Sequence, residues 1–165
     1  MMILGIDPGI AIVGFGIIKE INQKLIPVDY GVIRTKAKTP LANRLEIIHL
    51  ELTKLFQKYP ITEVAVEDLY FARNAKTAMI VGHARGVIIV TARLNNAEVF
   101  EYTPNQIKVA ITGYGAAQKP QVQSMVQKLL NLKDIPKPDD TADALACAIC
   151  HYNSRGLLKK IQEYR

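Results

Sequence analysis

The chain has 165 residues, of which 49% are hydrophobic, and a formal net charge of +6 at pH 7. This length suffices for a single domain over residues 1–165 with its own core, and the composition excludes an intrinsically disordered chain. Two cysteines are too few for a disulfide framework, and the sequence shows neither a signal-peptide pattern nor an uninterrupted apolar run of membrane-spanning length. We therefore expect a soluble, cytoplasmic protein with no membrane partner.

Positive charge is concentrated in the middle of the chain. Between Leu69 and Lys133 the only acids are Glu98 and Glu101, whereas the same stretch contains Arg73, Lys76, Arg85, Arg93, Lys108, Lys119, Lys128 and Lys133. A basic region of this kind indicates either a polyanionic partner such as a nucleic acid or an ordinary solvated surface. Both interpretations remain open at this point.

The first predicted strand begins at Met2 and ends at Asp7, within the sequence Gly5-Ile-Asp7-Pro-Gly9. The residue before a proline favours extended geometry, and Gly9 could supply the positive φ of a tight turn. Asp7 would then lie at the carboxyl end of a core strand, where open α/β sheets bind ligands. On this stretch alone, Asp7 could equally be a turn-initiating residue.

Two further strands, residues 10–18 and 25–33, complete a predicted antiparallel meander. Pro27 cannot donate a ladder hydrogen bond, which favours an edge position for the third strand. A helix is expected next, with Thr39 as its N-cap, Pro40 in its first turn and one apolar stripe: Leu41, Leu45, Ile48, Leu52 and Leu55. His49 lies beside this stripe and is interpreted as a helix-boundary residue.

A fourth strand over residues 62–66 ends at Glu67. A meander followed by a helix and another strand predicts a mixed sheet in which strands one and four are parallel. If these two strands are neighbours, Asp7 and Glu67 leave the sheet at the same edge. Two acids at the ends of adjacent parallel strands indicate a functional site.

The loop after Glu67 contains Tyr70, Phe71 and Arg73. Its aromatic side chains could anchor the loop to the protein, or one of them, Tyr70 by preference, could stack on exposed bases. A long helix follows over residues 75–94, with Ala78, Gly82 and Gly86 four residues apart on one face. Glycine is unfavourable inside a helix, so this face should be approached closely, either by the sheet or by a second subunit.

The next elements are a fifth strand over residues 98–102 and a helix that Thr103 caps and that contains Lys108. The stretch from Gly113 to Pro120 is predicted to be a flexible loop with Lys119 at its tip. It could cradle phosphate or simply connect two helices, the second of which is expected over residues 121–130.

The last predicted helix begins at the sequence Asp139-Asp140-Thr-Ala-Asp143. Acids suit a helix N-terminus, but Asp140 and Asp143 share a face, and the apolar residues after Asp143 turn it toward the protein. Cys147 and Cys150 are interpreted as small core residues. Residues 155–165 are expected to form a frayed basic tail.

The first strand, the fourth strand and the last helix each contribute carboxylate side chains to the candidate site. Asp7, Glu67, Asp140 and Asp143 cannot share a small space without a counter-charge, and hard divalent cations such as Mg²⁺ or Mn²⁺ are suitable. Two such ions about 3.5–4 Å apart could hold the attacking and leaving oxygens of a phosphodiester. The basic middle of the chain would then hold the nucleic-acid backbone.

These motifs, together with Gly82-His-Ala-Arg-Gly86 and Asp140-Thr-Ala-Asp143-Ala-Leu-Ala, closely resemble those of the RuvC-type Holliday-junction resolvases. The resemblance spans almost the whole chain. It implies an α/β, ribonuclease-H-like fold: a five-stranded mixed sheet, antiparallel in strands 1–3 and parallel in strands 4–5, with helices on both faces. It also implies a homodimer on a four-way DNA junction and paired nicks that leave 5′-phosphate ends in recombination and repair.

The resemblance assigns roles to individual residues. Asp7, Glu67, Asp140 and Asp143 match the family's metal-binding acids, although Asp139 could take the place of Asp140. The positions expected to contact DNA are Tyr70, Arg73, Lys76, Lys108 and Lys119. The helix over residues 75–94, with Ala78, Gly82 and Gly86, matches the dimer interface, and a branch-migration motor complex is the expected further partner.

Two other functions remain as alternatives. A junction-binding protein that does not cleave DNA would need no acids at the four positions. An actin-like or sugar-kinase-like phosphotransferase also begins with an acid–glycine hairpin, but it would need a second domain and a second phosphate loop.

Overall fold

A five-stranded mixed sheet forms the centre of the molecule, with the strand order β3-β2-β1-β4-β5. The structure is a computed structural model and describes residues 1–68 and 75–163, except for the side chains of residues 75, 76 and 157–163. The strands are β1 (Met2–Asp7), β2 (Ile12–Ile21), β3 (Lys24–Arg34), β4 (Glu63–Glu67) and β5 (Glu98–Tyr102). The helices are α1 (Leu41–Lys58), α2 (Ala75–Leu94), α3 (Pro104–Thr112), α4 (Lys119–Leu129) and α5 (Asp139–Glu163).

The strand directions confirm the predicted topology. β1 pairs with β2 and β2 with β3 in antiparallel fashion, whereas β1 pairs with β4 and β4 with β5 in parallel. β3 lies at an edge, as Pro27 predicts, and the register between β2 and β3 shifts at Ile17/Ile18, opposite this proline. The irregularity avoids a ladder position that proline could not satisfy.

Helices cover both faces of the sheet, each over its own apolar cluster. On one face, Leu4 and Ile6 of β1 pack with residues of α1 and α2, such as Ile48 and Ile88. On the other, Ile3 packs with residues of α3, α4 and α5. The alternation along β1 follows from the two-residue period of a strand.

Three glycines of β1 and β2 allow α5 to lie directly on the sheet. A Cβ atom on Gly5 or Gly14 would lie 2.0 Å from the carbonyl oxygen of Ala144 or Asp140, respectively, and one on Gly16 would lie 2.6 Å from Leu145 Cδ2. No side chain fits in these spaces. The first turns of α5, which contain the candidate acids, are therefore placed by the absence of side chains on the strands beneath.

Several local details differ from the sequence-based expectations. Gly9 does not adopt a positive φ; a Cβ there would instead lie 2.1 Å from the carbonyl oxygen of Ile12, so space and not backbone conformation requires glycine. Thr103 caps α3 as predicted, but the N-cap of α1 is Pro40, not Thr39. Lys119 is the first residue of α4 and does not lie at a loop tip.

The C-terminal helix is longer than expected. α5 continues to Glu163, through most of the segment for which a frayed tail was expected. Arg155 pairs with Glu20 of β2 at 2.7 Å and lies over the Tyr152 ring, so the start of this segment is attached to the sheet.

Helix α2 has a mixed environment. By length and composition alone, Thr77–Leu94 could cross a membrane. In the structure, Ala84, Ile88 and Ala92 of this helix pack against the sheet, and a second, apolar face is exposed.

Candidate metal and nucleic-acid site

Asp7 and Glu67 end adjacent parallel strands. Ile6 of β1 pairs with Val66 of β4, so the next residue of each strand, Asp7 and Glu67, emerges at the same edge of the sheet. Both side chains are partly buried. The structure thus places these two acids side by side, as the strand order predicts.

The first turns of α5 bring further acids to this edge. Asp143 has a side chain that is only 25% exposed, and it lines a cleft of about 320 Å³ together with Glu67, Lys108 and Lys119. Asp140 lies one turn earlier, where its backbone rests on Gly14 of β2. Distant parts of the chain therefore supply acids to one region.

The electrostatics of this region show excess negative charge. Burial, reinforced by the charges of Glu67, Asp143 and Asp140, raises the pKa of Asp7 to about 8. Burial and the charge of Asp143 raise the pKa of Glu67 to about 7. The pKa of Asp143 is also raised, mainly by burial, although Lys119 opposes the shift. Such a cluster favours a bound cation or proton.

Lys119 is the cation closest to the cluster in the described part of the chain. Its Nζ lies 2.9 Å from Asp143 Oδ2 and 3.4 Å from Asp139 Oδ2. Asp139 is exposed and accepts a second hydrogen bond from Gln123 at 3.0 Å, and these two partners lower its pKa. Asp139 is thus neutralised by its own neighbours, whereas Asp140 contributes to the raised pKa of Asp7.

The donor set fits a hard divalent cation. Within residues 1–68 and 75–163, no group of three or more His, Cys, Asp or Glu side chains is already arranged to hold a metal ion. Mg²⁺ is typically bound by one or two carboxylates, with water and substrate phosphate completing its coordination. Partly buried carboxylates of raised pKa beside a cleft that Lys108 and Lys119 also line match this pattern better than a structural metal site would.

The predicted DNA contacts are only partly described. Lys108 and Lys119 line the same cleft as Glu67 and Asp143. Lys76 lies in α2, but its side chain is outside the described part, as are Tyr70 and Arg73 altogether. The expectations for these three positions stay predictions.

The glycine stripe of α2 does not contact the sheet. Among the described residues, nothing lies within 4 Å of a Cβ built on Gly82 or Gly86, so the interpretation that the sheet approaches them is wrong. Ala78 is half-buried, and neighbouring apolar side chains are exposed: Met79 by 66%, Val90 by 49% and Leu94 by 70%. In the part of the chain that the structure describes, nothing covers this face of the helix.

His151 belongs to a buried polar cluster that the sequence analysis missed. Its Nδ1 lies 2.7 Å from the Tyr102 hydroxyl and its Nε2 lies 2.9 Å from Glu63 Oε2, while the ring stacks on Phe100. The four-residue spacing from the buried Cys147 could have placed His151 on the inward face of α5. The cluster links this helix to β4 and β5. His49, by contrast, is a boundary residue as predicted, hydrogen-bonded to Thr91 at 2.8 Å.

Comparisons with known proteins agree with the geometry. The family model described as crossover junction endodeoxyribonuclease RuvC matches residues 3–151. The crossover junction endodeoxyribonuclease RuvC of Alkaliphilus metalliredigens is 52% identical over 154 residues, covering 93% of this chain and 94% of its own. That of Clostridioides difficile is 49% identical over 162 residues, covering 98% and 96%.

Solved structures show the same similarity. Thermus thermophilus RuvC matches with a TM-score of 0.87 at 34% identity, covering 95% of this chain and 96% of its own. The structure of T. thermophilus RuvC in complex with a Holliday junction substrate also matches with a TM-score of 0.87, at 32% identity and the same coverage. The fold is therefore ribonuclease-H-like, as expected, and the chain belongs to the crossover junction endodeoxyribonuclease RuvC family.

Proposed function

We propose that this RuvC-family endonuclease, which resolves Holliday junctions, cleaves DNA with Mg²⁺ or Mn²⁺ held by Asp7, Glu67, Asp140 and Asp143, two ions per site. The observation that supports this most directly is the raised pKa of Asp7, about 8, because several buried carboxylates without a matching counter-charge lie around it. When bound, such ions neutralise charge on the phosphate and activate water for attack. The products would carry 5′-phosphate ends.

Asp140 is a better candidate ligand than Asp139. The charge of Asp140 acts on Asp7, whereas Asp139 is exposed and hydrogen-bonded to Gln123 and Lys119. We therefore assign Asp140 to the metal site and Asp139 to the orientation of Lys119.

The cleft supplies the groups that would hold the substrate. Lys108 and Lys119 would contact the phosphate beside the acids, because both line the cleft with Glu67 and Asp143. Tyr70 is assigned to junction binding by resemblance, and Arg73 and Lys76 by their place in the basic middle of the chain. A four-way junction offers the dense phosphate charge that this basic region requires.

The same proposal includes a homodimer through α2. The exposed apolar side chains and the open glycine face of this helix form a surface that a second copy could cover. A branch-migration motor complex is the further partner that the resemblance implies, and a cytoplasmic location remains an expectation.

Asp7→Asn provides the decisive experiment, using a synthetic four-way junction. Binding to the junction in Ca²⁺ should persist, while cleavage in Mg²⁺ should fall by roughly three or more orders of magnitude, as expected for loss of a group essential to metal catalysis. Asp134→Asn, which alters an exposed acid in the loop before α5, is the matched control and should leave both unchanged.

The alternatives predict different outcomes. A protein that only binds junctions would show no cleavage in the parent, and a phosphotransferase would consume ATP. If Asp7→Asn cleaved as fast as the parent, the assignment of the acids would be wrong.

A further inference from the structure

Arg85 of α2 joins the ends of two strands on the face of the sheet opposite the candidate acids. Its Nη2 lies 3.2 Å from Asp68 Oδ1 and 2.6 Å from Glu101 Oε1. Asp68 directly follows Glu67, the last residue of β4, and Glu101 lies in β5. One guanidinium group therefore connects a helix with both strands beside the metal site.

The alternation of side chains along β4 explains this arrangement. Val66 packs toward α1 and α2, whereas Ala65 packs toward α5. Glu67 and Asp68 continue this alternation, so Glu67 points to the side of the candidate metal site and Asp68 to the side of α2. Arg85 thus contacts the side chain of the residue that directly follows Glu67.

The backbone of Asp68 is held as well. Its N–H donates a hydrogen bond of 2.8 Å to the carbonyl oxygen of Tyr102, and Glu67 pairs with Tyr102 in the parallel register. The bridge to Glu101 adds a second, independent restraint through the side chain. Together the two restraints limit the direction in which the chain leaves Glu67.

Stability alone does not account for Arg85. Its side chain is only 20% exposed, while the Asp68 and Glu101 side chains are 46% and 48% exposed, and ion pairs with such accessible carboxylates add little to stability. Its buried Nε also has no hydrogen-bond acceptor in the described part of the chain. A buried donor without an acceptor lowers the free energy of unfolding. A purely structural role would not explain why Arg85 occupies this position despite that loss.

We infer that Arg85 is a positioning residue for the endonuclease reaction, which holds Glu67 in the orientation that binds metal by fixing Asp68 against Glu101. This inference rests on the proposed metal-binding role of Glu67. It concerns a residue on the far face of the sheet, which contacts neither the acids of the cleft nor the candidate phosphate-binding lysines.

The test compares Arg85→Met and Arg85→Lys with the parent protein by three measurements. These are Mn²⁺ binding without DNA by electron paramagnetic resonance, junction affinity in Ca²⁺, and single-turnover cleavage as a function of Mg²⁺ concentration. Loss of a group hydrogen-bonded to a metal ligand typically costs roughly 10–100-fold in metal affinity or activity. Arg85 acts on Glu67 through Asp68, so we expect a loss of about 10-fold, at the lower end of this range. Arg85→Met should show a loss of this size in Mn²⁺ affinity and cleavage, with junction affinity within about twofold. Arg85→Lys should recover part of the loss, because lysine keeps the positive charge but lacks the planar guanidinium group with its several donors.

Arg93→Met is the matched control on the same helix. Arg93 donates to the carbonyl oxygen of Ala97 at 3.1 Å and does not reach β4, so its removal should leave Mn²⁺ affinity unchanged. The inference is overturned if Arg85→Met binds Mn²⁺ as tightly as the parent, or if Arg93→Met weakens binding equally.

Asp68→Asn decides the question if Arg85→Met does not fold. It should weaken Mn²⁺ binding, and parental binding in this variant would overturn the inference. A failure of the proposed function would look different, because the parent itself would then neither bind Mn²⁺ at the cleft nor cleave junctions.

Discussion

Lys119 Nζ lies 2.9 Å from Asp143 Oδ2, so a candidate phosphate-binding cation also neutralises a candidate metal ligand. If Asp143 binds a metal ion as proposed, the ion and this lysine would compete for the same carboxylate. Metal binding at Asp143 would then free the ammonium group for the substrate, and metal binding and DNA binding should support one another.

Lys119→Met should bind Mn²⁺ more tightly than the parent in the absence of DNA. Removal of the competing cation should increase affinity about three- to tenfold, or about 0.7–1.4 kcal/mol. The same substitution should weaken junction binding in Ca²⁺, and less so without a divalent ion. Calorimetric titration with Mn²⁺ and a junction-binding assay measure these effects.

Lys108→Met separates competition from general electrostatics. Lys108 lines the same cleft but has no ion pair with an acid in the part of the chain that the structure describes. Lys108→Met should therefore increase the affinity for Mn²⁺ less than Lys119→Met does. Equal effects of the two substitutions would contradict direct competition.

Metal binding should depend on pH. Because burial and neighbouring acids raise the pKa of Asp7 to about 8 and that of Glu67 to about 7, protons occupy these groups near neutral pH in the metal-free protein. Mn²⁺ must displace them, so its apparent affinity should rise as the pH increases from about 6 to 9, with release of protons. Titrations in buffers of different ionisation enthalpy count the protons. A pH-independent affinity would contradict the raised pKa values.

The free energy of unfolding of the metal-free protein should fall as the pH rises, whereas the affinity for Mn²⁺ rises. The folded pKa of Asp7 lies above its unfolded value of 3.8, so the folded state binds more protons between these two values and stability falls as the pH rises through this range. Asp7→Asn should remove the part of this dependence that Asp7 contributes, while the raised pKa values of Glu67 and Asp143 keep the rest. At pH 8 its melting temperature should exceed that of the parent by roughly 2–4 °C for each kcal/mol that the substitution adds to the free energy of unfolding. The difference should be smaller at pH 5. Thermal unfolding in the presence of a chelator provides the measurement.

Gly14→Ala should displace the N-terminal turns of α5. The new Cβ would lie 2.0 Å from the Asp140 carbonyl oxygen, and such overpacking typically costs about 1–3 kcal/mol. Because the helix would move with Asp140 and Asp143, Mn²⁺ affinity should fall together with stability. Denaturant unfolding and Mn²⁺ titration of Gly14→Ala measure the two effects. Gly31→Ala on β3 is the control: within 4 Å its Cβ would approach only the Phe15 ring, at 3.3 Å, and Phe15 packs with the apolar cluster on the α1 and α2 face of the sheet. Parental metal affinity in Gly14→Ala would show that α5 is not placed by this contact.

The sequence predicts the antiparallel meander, the edge position of the third strand and a fourth strand parallel to the first, because these follow from local patterns combined with connection rules. The convergence of Asp7 and Glu67 is predicted on the condition that strands one and four are neighbours, which the structure confirms. The sequence also identifies Asp143 as an inward-facing acid. By contrast, the close approach of α5 to Gly5, Gly14 and Gly16 depends on packing between distant segments, for which a glycine in a strand is only an ambiguous signal.

The position of Lys119 could not be predicted for a related reason. Gly113 and Gly115 indicate a loop, but α4 begins at Lys119, where the backbone N–H of Gln118 donates to the Gln121 side chain at 2.8 Å. Glutamine is a weak capping signal, so the preceding glycines dominate a local interpretation. The bridge between Arg85, Asp68 and Glu101 likewise joins three elements and leaves no pattern in any one of them.

Gly82→Arg should convert the protein from a dimer to a monomer. Gly82 lies on the open face of α2 near the exposed side chains of Met79 and Val90, and a bulky charge there would prevent a second copy from covering these groups. Gly156→Arg is the matched control, because Gly156 is also a helical glycine with open space around its Cβ position. Sedimentation velocity should give the mass of a monomer for Gly82→Arg and of a dimer for the parent and the control. Cleavage by Gly82→Arg should then yield single nicks in place of paired ones. A monomeric parent, or an unchanged mass in Gly82→Arg, would show that this face of α2 does not bind a second copy.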